Sequence, residues 1–145
     1  MRRDDLLGAW HLKSYTAESD GAVDEPLGSD PLGIIMYTAD GYMSAQLMRR
    51  DRPDYDKAVT DGGTPEQTAS AARGYLCYSG PFTLDEAAGV VSHHVEVSLL
   101  PNWVGGTQVR QGRLENGVLE LRAELVSRRG ATTTHVLTWR RAPSH

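Results

Sequence analysis

The sequence predicts an all-β chain: eight antiparallel strands closing as an up-and-down barrel, with one helix inserted between the third and fourth strands. Three observations carry this. Turn signals separate short apolar runs along most of the 145 residues, the pattern of a β-meander. Only one stretch has helical spacing and a helix start signal. And eight locally connected strands leave two exposed edges unless they close, which a barrel achieves. At this length a single domain spanning residues 1–145 is expected.

In chain order, strands are expected near residues 8–18, 33–38 and 42–48, the last two joined through Asp40-Gly41 of "TADGYM". An insertion over 49–78 follows. It opens with the polar, turn-rich "RRDRPDYDKAVTDGG" and continues as "GGTPEQTASAARGYL". There Thr64 suits an N-cap, Pro65 the first helical position and Gln67 the capping box, with Ala69, Ala72 and Leu76 as a thin apolar stripe. An insertion of this length in a meander of short turns is a candidate lid or plug. Strands are then expected at 79–84, 90–99, 107–115, 118–125 and 132–141. "LDEAAGVV" makes the first of these joins, and Asn116-Gly117 of "ENGVLEL" is a strong hairpin signal.

Hairpin register assigns the inner face. If Asn116-Gly117 is the loop, Leu114 pairs with Leu119, and Leu119, Leu121, Ala123 and Leu125 line the core. The matching face of the preceding strand carries Leu114, Gly112, Arg110 and Gln108. An inward Arg110 needs an internal acid or a ligand anion, since an unpaired buried charge costs several kcal/mol. The alternative is a bend at Gly112 that leaves Arg110 in water. Pairing Leu84 with Val91 sets Phe82 beside His93. One face then holds Tyr78, Gly80, Phe82 and Leu84 with Val91, His93, Val95, Val97 and Leu99. His94, Glu96 and Ser98 fall outside, and a one-residue slip would exchange the two sets. In that slipped register His94 and Glu96 are two metal ligands, too few to specify a site.

A three-residue loop ending at Gly41 turns Ile35, Tyr37, Met43, Ala45 and Leu47 inward; a two-residue loop would turn in Ile34 and Met36. Tyr75 and Tyr78 approach the mouth. "PNWVGG" reads as a rim turn, where Asn102 and Trp103 either frame an entrance or cap the barrel. Candidate ligand-binding residues are therefore Tyr37, Met43, Tyr78, Phe82, Asn102, Trp103 and Gln108. His93 and Arg110 are the candidate catalytic pair, as acid/base and anion stabiliser.

Composition narrows the class. A net charge of −4, with the Arg-Arg pairs scattered among acids, argues against nucleic-acid binding. No apolar run reaches the roughly 18 residues of a membrane helix, and the N-terminus lacks the apolar core of a signal peptide. Cys77 is the single cysteine, consistent with a cytoplasmic setting, and among apolar neighbours it reads as packing. There is no G-x-S-x-G, P-loop, G-x-G-x-x-G or H-E-x-x-H. No metal or cofactor is expected, and a homodimer is compatible with the charge.

Four blocks, "LLGAWHLKSY", "DPLGIIMYTADGYMSAQLMR", "HHVEVSLLPNWVGG" and "QVRQGRL", together resemble the bacterial lipocalin-like domain proteins, a calycin-type family of small β-barrels. Gly8-Ala9-Trp10 is similar to the lipocalin Gly-x-Trp signature. That resemblance implies that Trp10 closes one barrel end, with Arg140 or Arg141 from the last strand packed across it. It further implies small hydrophobic metabolites as ligands, with some related barrels acting as cyclases or isomerases in natural-product pathways. The expected function is binding of a small, partly hydrophobic metabolite inside the barrel, an anionic one if Arg110 points inward without an internal acid. The alternatives are a cofactor-free cyclase or isomerase using His93 and Arg110, and a structural barrel with a filled core.

Overall fold

The computed structural model describes residues 1–145. A helical turn, α1 (Arg3–Leu6), precedes β1 (Gly8–Ser19), β2 (Ala22–Asp24), β3 (Leu32–Tyr37) and β4 (Tyr42–Met48). After α2 (Pro65–Arg73) come β5 (Tyr75–Asp85), β6 (Val90–His94), β7 (Val97–Ser98), β8 (Thr107–Glu115), β9 (Val118–Val126) and β10 (Thr132–Arg141). Neighbours pair antiparallel in the order β10-β9-β8-β6-β5-β4-β3-β1, and β10 returns to β1. The result is the closed eight-stranded barrel that the turn pattern predicts, with its helix between the third and fourth barrel strands. No helix is long and apolar enough to cross a membrane.

The three hairpin registers follow from their turns. Asn116 and Gly117 both have positive φ (52° and 75°), as a two-residue type I′ loop requires, and Glu115 pairs with Val118, Leu114 with Leu119. Tyr37 pairs with Met43 and Ile35 with Ala45 across a loop that ends at Gly41. Tyr37, Met43, Ala45 and Leu47 are accordingly buried, while Ile34 and Met36 face outward. Leu84 pairs with Val91 and Phe82 with His93. His93 thus points inward, and His94 faces out, bonded to Thr83 and Thr107.

Two bulges interrupt this regular alternation. On β1 the pairing with β10 shifts by one residue between Leu12 and Ser14, so Trp10 and Tyr15 are both buried although they are five positions apart. After His94 the strand expected at 90–99 breaks. β6 pairs with β8, whereas β7 returns to β5 one residue out of step, matching Tyr78 to Ser98 and Ser79 to Val97. Val95 stays buried, but Val97 and Leu99, expected inside, are largely exposed. Gly80 permits the bulge, because a Cβ there would collide with the His94 carbonyl oxygen and press on the Glu96 amide.

The two barrel ends differ. One is sealed by α1, with Leu6 fully buried and the Trp10 indole donating to the Leu6 carbonyl at 2.8 Å. The Arg141 guanidinium lies 4.1 Å from the Trp10 ring and donates to the Leu7 and Asp5 carbonyls at 2.6 and 2.7 Å. Arg141 therefore takes the place left open between it and Arg140. At the other end, the 95–106 segment carries a 3-10 turn, Pro101–Trp103, whose half-buried Trp103 packs edge-on against Tyr78. Thr64 caps α2 through the capping box with Gln67, but no residue of α2 is buried. Of the 49–78 insertion, Leu76 and Tyr78, at the start of β5, line the barrel interior.

Candidate functional site

β-Alternation fills most of the barrel with Ile35, Tyr37, Met43, Ala45, Leu47, Phe82, Val91, Leu119 and Leu121. What is left is a cavity of about 40 Å³ toward the Trp103 end. Twelve of its fourteen lining residues are hydrophobic in type, the exceptions being Arg110 and His135. The phenols of Tyr15 and Tyr78 add polarity to an otherwise aliphatic wall of Ile35, Ala45, Leu47, Leu76, Leu121, Leu125 and Leu137. Trp139 also lines it, and its indole N–H is buried with no partner.

Behind one wall sits His93, completely buried. Its Nε2 lies 2.8 Å from the Tyr37 hydroxyl and its Nδ1 2.8 Å from the Tyr78 hydroxyl. Burial above all, then the positive charge of Arg110 and the presence of His94, pushes His93 down to about 3. The imidazole is therefore neutral near pH 7 and offers one donor and one acceptor. Burial likewise raises the Tyr37 and Tyr78 phenols, with Arg110 opposing the rise at Tyr78. Both stay protonated.

Arg110 is the cation of the interior. Only 8% exposed, it donates from Nη1 to the Val109 carbonyl at 3.0 Å. All six ion pairs of the molecule lie on its surface and none includes Arg110. Its charge acts on Tyr15, Tyr37, Tyr78, His93 and His135 together, which places it among these groups. Arg110 also donates a hydrogen bond to the Tyr78 hydroxyl, and a buried guanidinium with no acid partner is costly to fold around.

On the opposite wall a second relay repeats the chemistry. The Tyr15 hydroxyl lies 2.6 Å from His135 Nδ1, and Thr133 Oγ1 lies 2.8 Å from His135 Nε2. Thr133 also donates to the Leu125 carbonyl at 3.1 Å. Burial pushes the Tyr15 phenol up to about 12 against the pull of Arg110. Burial and Arg110 together lower His135.

Of the residues singled out from sequence, Arg110, Tyr78 and Trp103 line the cavity. Tyr37, Met43, Phe82 and His93 are buried in the layer behind it, with Tyr37 and Phe82 edge-to-face at 4.9 Å. Gln108 is half-buried and pairs with His93 across β6 and β8, and Asn102 is exposed on the 3-10 turn. Tyr15, His135 and Trp139 escaped sequence reasoning. For His135 and Trp139 a signal existed: they alternate with Leu137 opposite the apolar face of β9, Ala123, Leu121 and Leu119. Tyr15 had none, because regular alternation from Trp10 points it outward.

A hollow of about 510 Å³ on the outer wall, bordered by His11, Ile34, Gln46 and Tyr75, is larger than the cavity. Its polar rim is satisfied internally by the Arg50–Asp30 ion pair at 2.8 Å and the Tyr75–Gln46 hydrogen bond.

Comparison with known proteins agrees with this architecture. A family model described as a lipocalin-like domain matches residues 7–142. A relative in Aspergillus oryzae, the 4'-hydroxy-3'-methoxypropiophenone carrier protein, is 39% identical over 110 residues, covering 70% of this chain and 97% of that protein.

Proposed function

The chain belongs to the lipocalin-like domain family, and from that premise we propose that it holds a small, largely apolar metabolite inside the barrel through an anionic or carbonyl oxygen at Arg110. The observation that carries this is the buried guanidinium with no acid partner beside an aliphatic cavity. A guanidinium is suited to an oxygen anion, and a ligand that neutralises it recovers part of its desolvation cost. The similarity to a carrier protein supports holding as the role.

The cavity of about 40 Å³ is far below the roughly 300 Å³ at which small-molecule pockets begin. A metabolite must therefore displace side chains as it enters. Trp103, on a short turn at the end opposite α1, is the side chain placed to move. The filled-core alternative describes the barrel before that movement.

A cofactor-free cyclase or isomerase with His93 as acid/base is the second reading. It is weakened because both nitrogens of His93 are engaged by tyrosines and the ring is walled off from the cavity. His93 is better described as a positioning residue for Tyr78.

Tryptophan fluorescence tests the first reading, since Trp103 and Trp139 line the cavity. The probe is 4'-hydroxy-3'-methoxypropiophenone, the compound named in the relative. Saturable quenching is expected, weakened about tenfold or more in Arg110→Gln. Equal affinity in the variant would remove Arg110 from the site.

A further inference from the structure

The outer partners of the two tyrosine–histidine relays favour opposite senses for their hydrogen atoms. Tyr37 does not line the cavity, and His93 Nε2 is its hydroxyl's hydrogen-bond partner. A buried O–H must donate, so Tyr37 donates to Nε2. The neutral ring then carries its proton on Nδ1 and donates to the Tyr78 oxygen at 2.8 Å. The Tyr78 hydrogen is left to point elsewhere, and Tyr78 lines the cavity beside Arg110.

In the second relay Thr133 spends its only hydrogen on the Leu125 carbonyl. Toward His135 Nε2 it can only accept. That ring therefore carries its proton on Nε2, and bare Nδ1 accepts from Tyr15. Tyr15 has used its hydrogen and turns only lone pairs to the cavity it lines.

We propose that the cavity is polarised, with Tyr78, Arg110 and the Trp139 N–H as donors against Tyr15 as acceptor, so that its ligand carries both an acceptor oxygen and a hydroxyl on one small apolar body. A carbonyl or oxyanion seats at Arg110 and Tyr78, and a hydroxyl donates to Tyr15. Phenolic ketones satisfy both demands. Simple fatty acids and unsubstituted hydrocarbons leave Tyr15 or the donors unmatched. This deepens the reading of the barrel interior as the ligand site and rests on it.

Imidazole nitrogen NMR of the full chain near pH 7 reads the polarity without any ligand. The expected result is opposite tautomers, protonated at Nδ1 in His93 and at Nε2 in His135. The same tautomer in both rings overturns the proposal. A ligand series gives the second arm: 4'-hydroxy-3'-methoxypropiophenone, its phenol methyl ether, and its analogue with the ketone reduced to a methylene. Each altered compound should lose about tenfold in affinity, the scale of one unmatched buried polar group. Tyr15→Phe should abolish the difference between the phenol and its ether while keeping that for the ketone. If the ether binds wild-type protein as well as the phenol, the polarity is refuted and the pocket stands. If none of the three binds although the tautomers are as expected, the pocket reading fails instead.

Discussion

Acid should destabilise this protein through His93 in a way that can be calculated. In the unfolded chain its imidazole has the ordinary value of 6.5, and in the fold it is pushed down to about 3. Above the unfolded value neither state binds a proton there, so stability is unaffected by this residue. As pH falls below 6.5 the unfolded chain takes up the proton first, and stability is lost progressively until the folded ring protonates as well. Linkage over that window gives a loss of about 2 kcal/mol at pH 5 relative to pH 7. Urea unfolding at the two pH values measures it, with His93→Gln as the reference, because a glutamine amide can still donate to one tyrosine and accept from the other. The acid-induced loss in the variant should be smaller by about that amount, other titrating groups being common to both proteins. Equal losses, within about 0.5 kcal/mol, would refute the argument that the ring is held neutral by burial and Arg110. Should the variant not fold, the wild-type His93 resonances decide the matter, and they should show no titration between pH 7 and pH 5.

Other perturbations probe the remaining parts. Replacing Arg110 by Met removes an unpaired buried charge and should raise the stability of the unliganded protein by about 1–3 kcal/mol while weakening ligand binding, the sign expected of a functional group that strains its fold. A lower melting temperature in this variant would make Arg110 structural. Gly80→Ala forces a methyl into the His94 carbonyl and should cost about 3 kcal/mol or more, read as a fall in the denaturation midpoint; retention of full stability would mean that the bulge is soft. Arg141→Ala loses a ring contact and two carbonyl bonds and should cost about 1–2 kcal/mol. Arg140→Ala should change stability by less than about 0.5 kcal/mol, and a reversal of the two would misplace the seal over Trp10.

What the sequence by itself determined was set by local causes, though not every local feature was read: α1 and the short β2 hairpin partner of β1 were not expected. The Asn116-Gly117 turn makes the inward position of Leu119 legible from alternation, whereas Tyr37 against Ile34 and Met36, His93 against His94, and Arg110 inside against a bend at Gly112 were each one of two readings, and the structure chose the first in every case. The helix start at Thr64 was legible, since a capping box spans only four residues. What only the tertiary structure decided depended on strands far apart in sequence. The bulge between Leu12 and Ser14 is a misfit between the first and last strands as the barrel closes, and it rotates Tyr15 into the cavity. The bulge after His94 forms because Gly80, on a neighbouring strand, leaves room for the backbone, and it turns Val97 out. An alternation rule has a period of two and no means of registering an extra residue. The part of the cavity lining built on Arg110 and Tyr78 could therefore be read in the chain, and the part built on Tyr15 had to wait for the closed barrel.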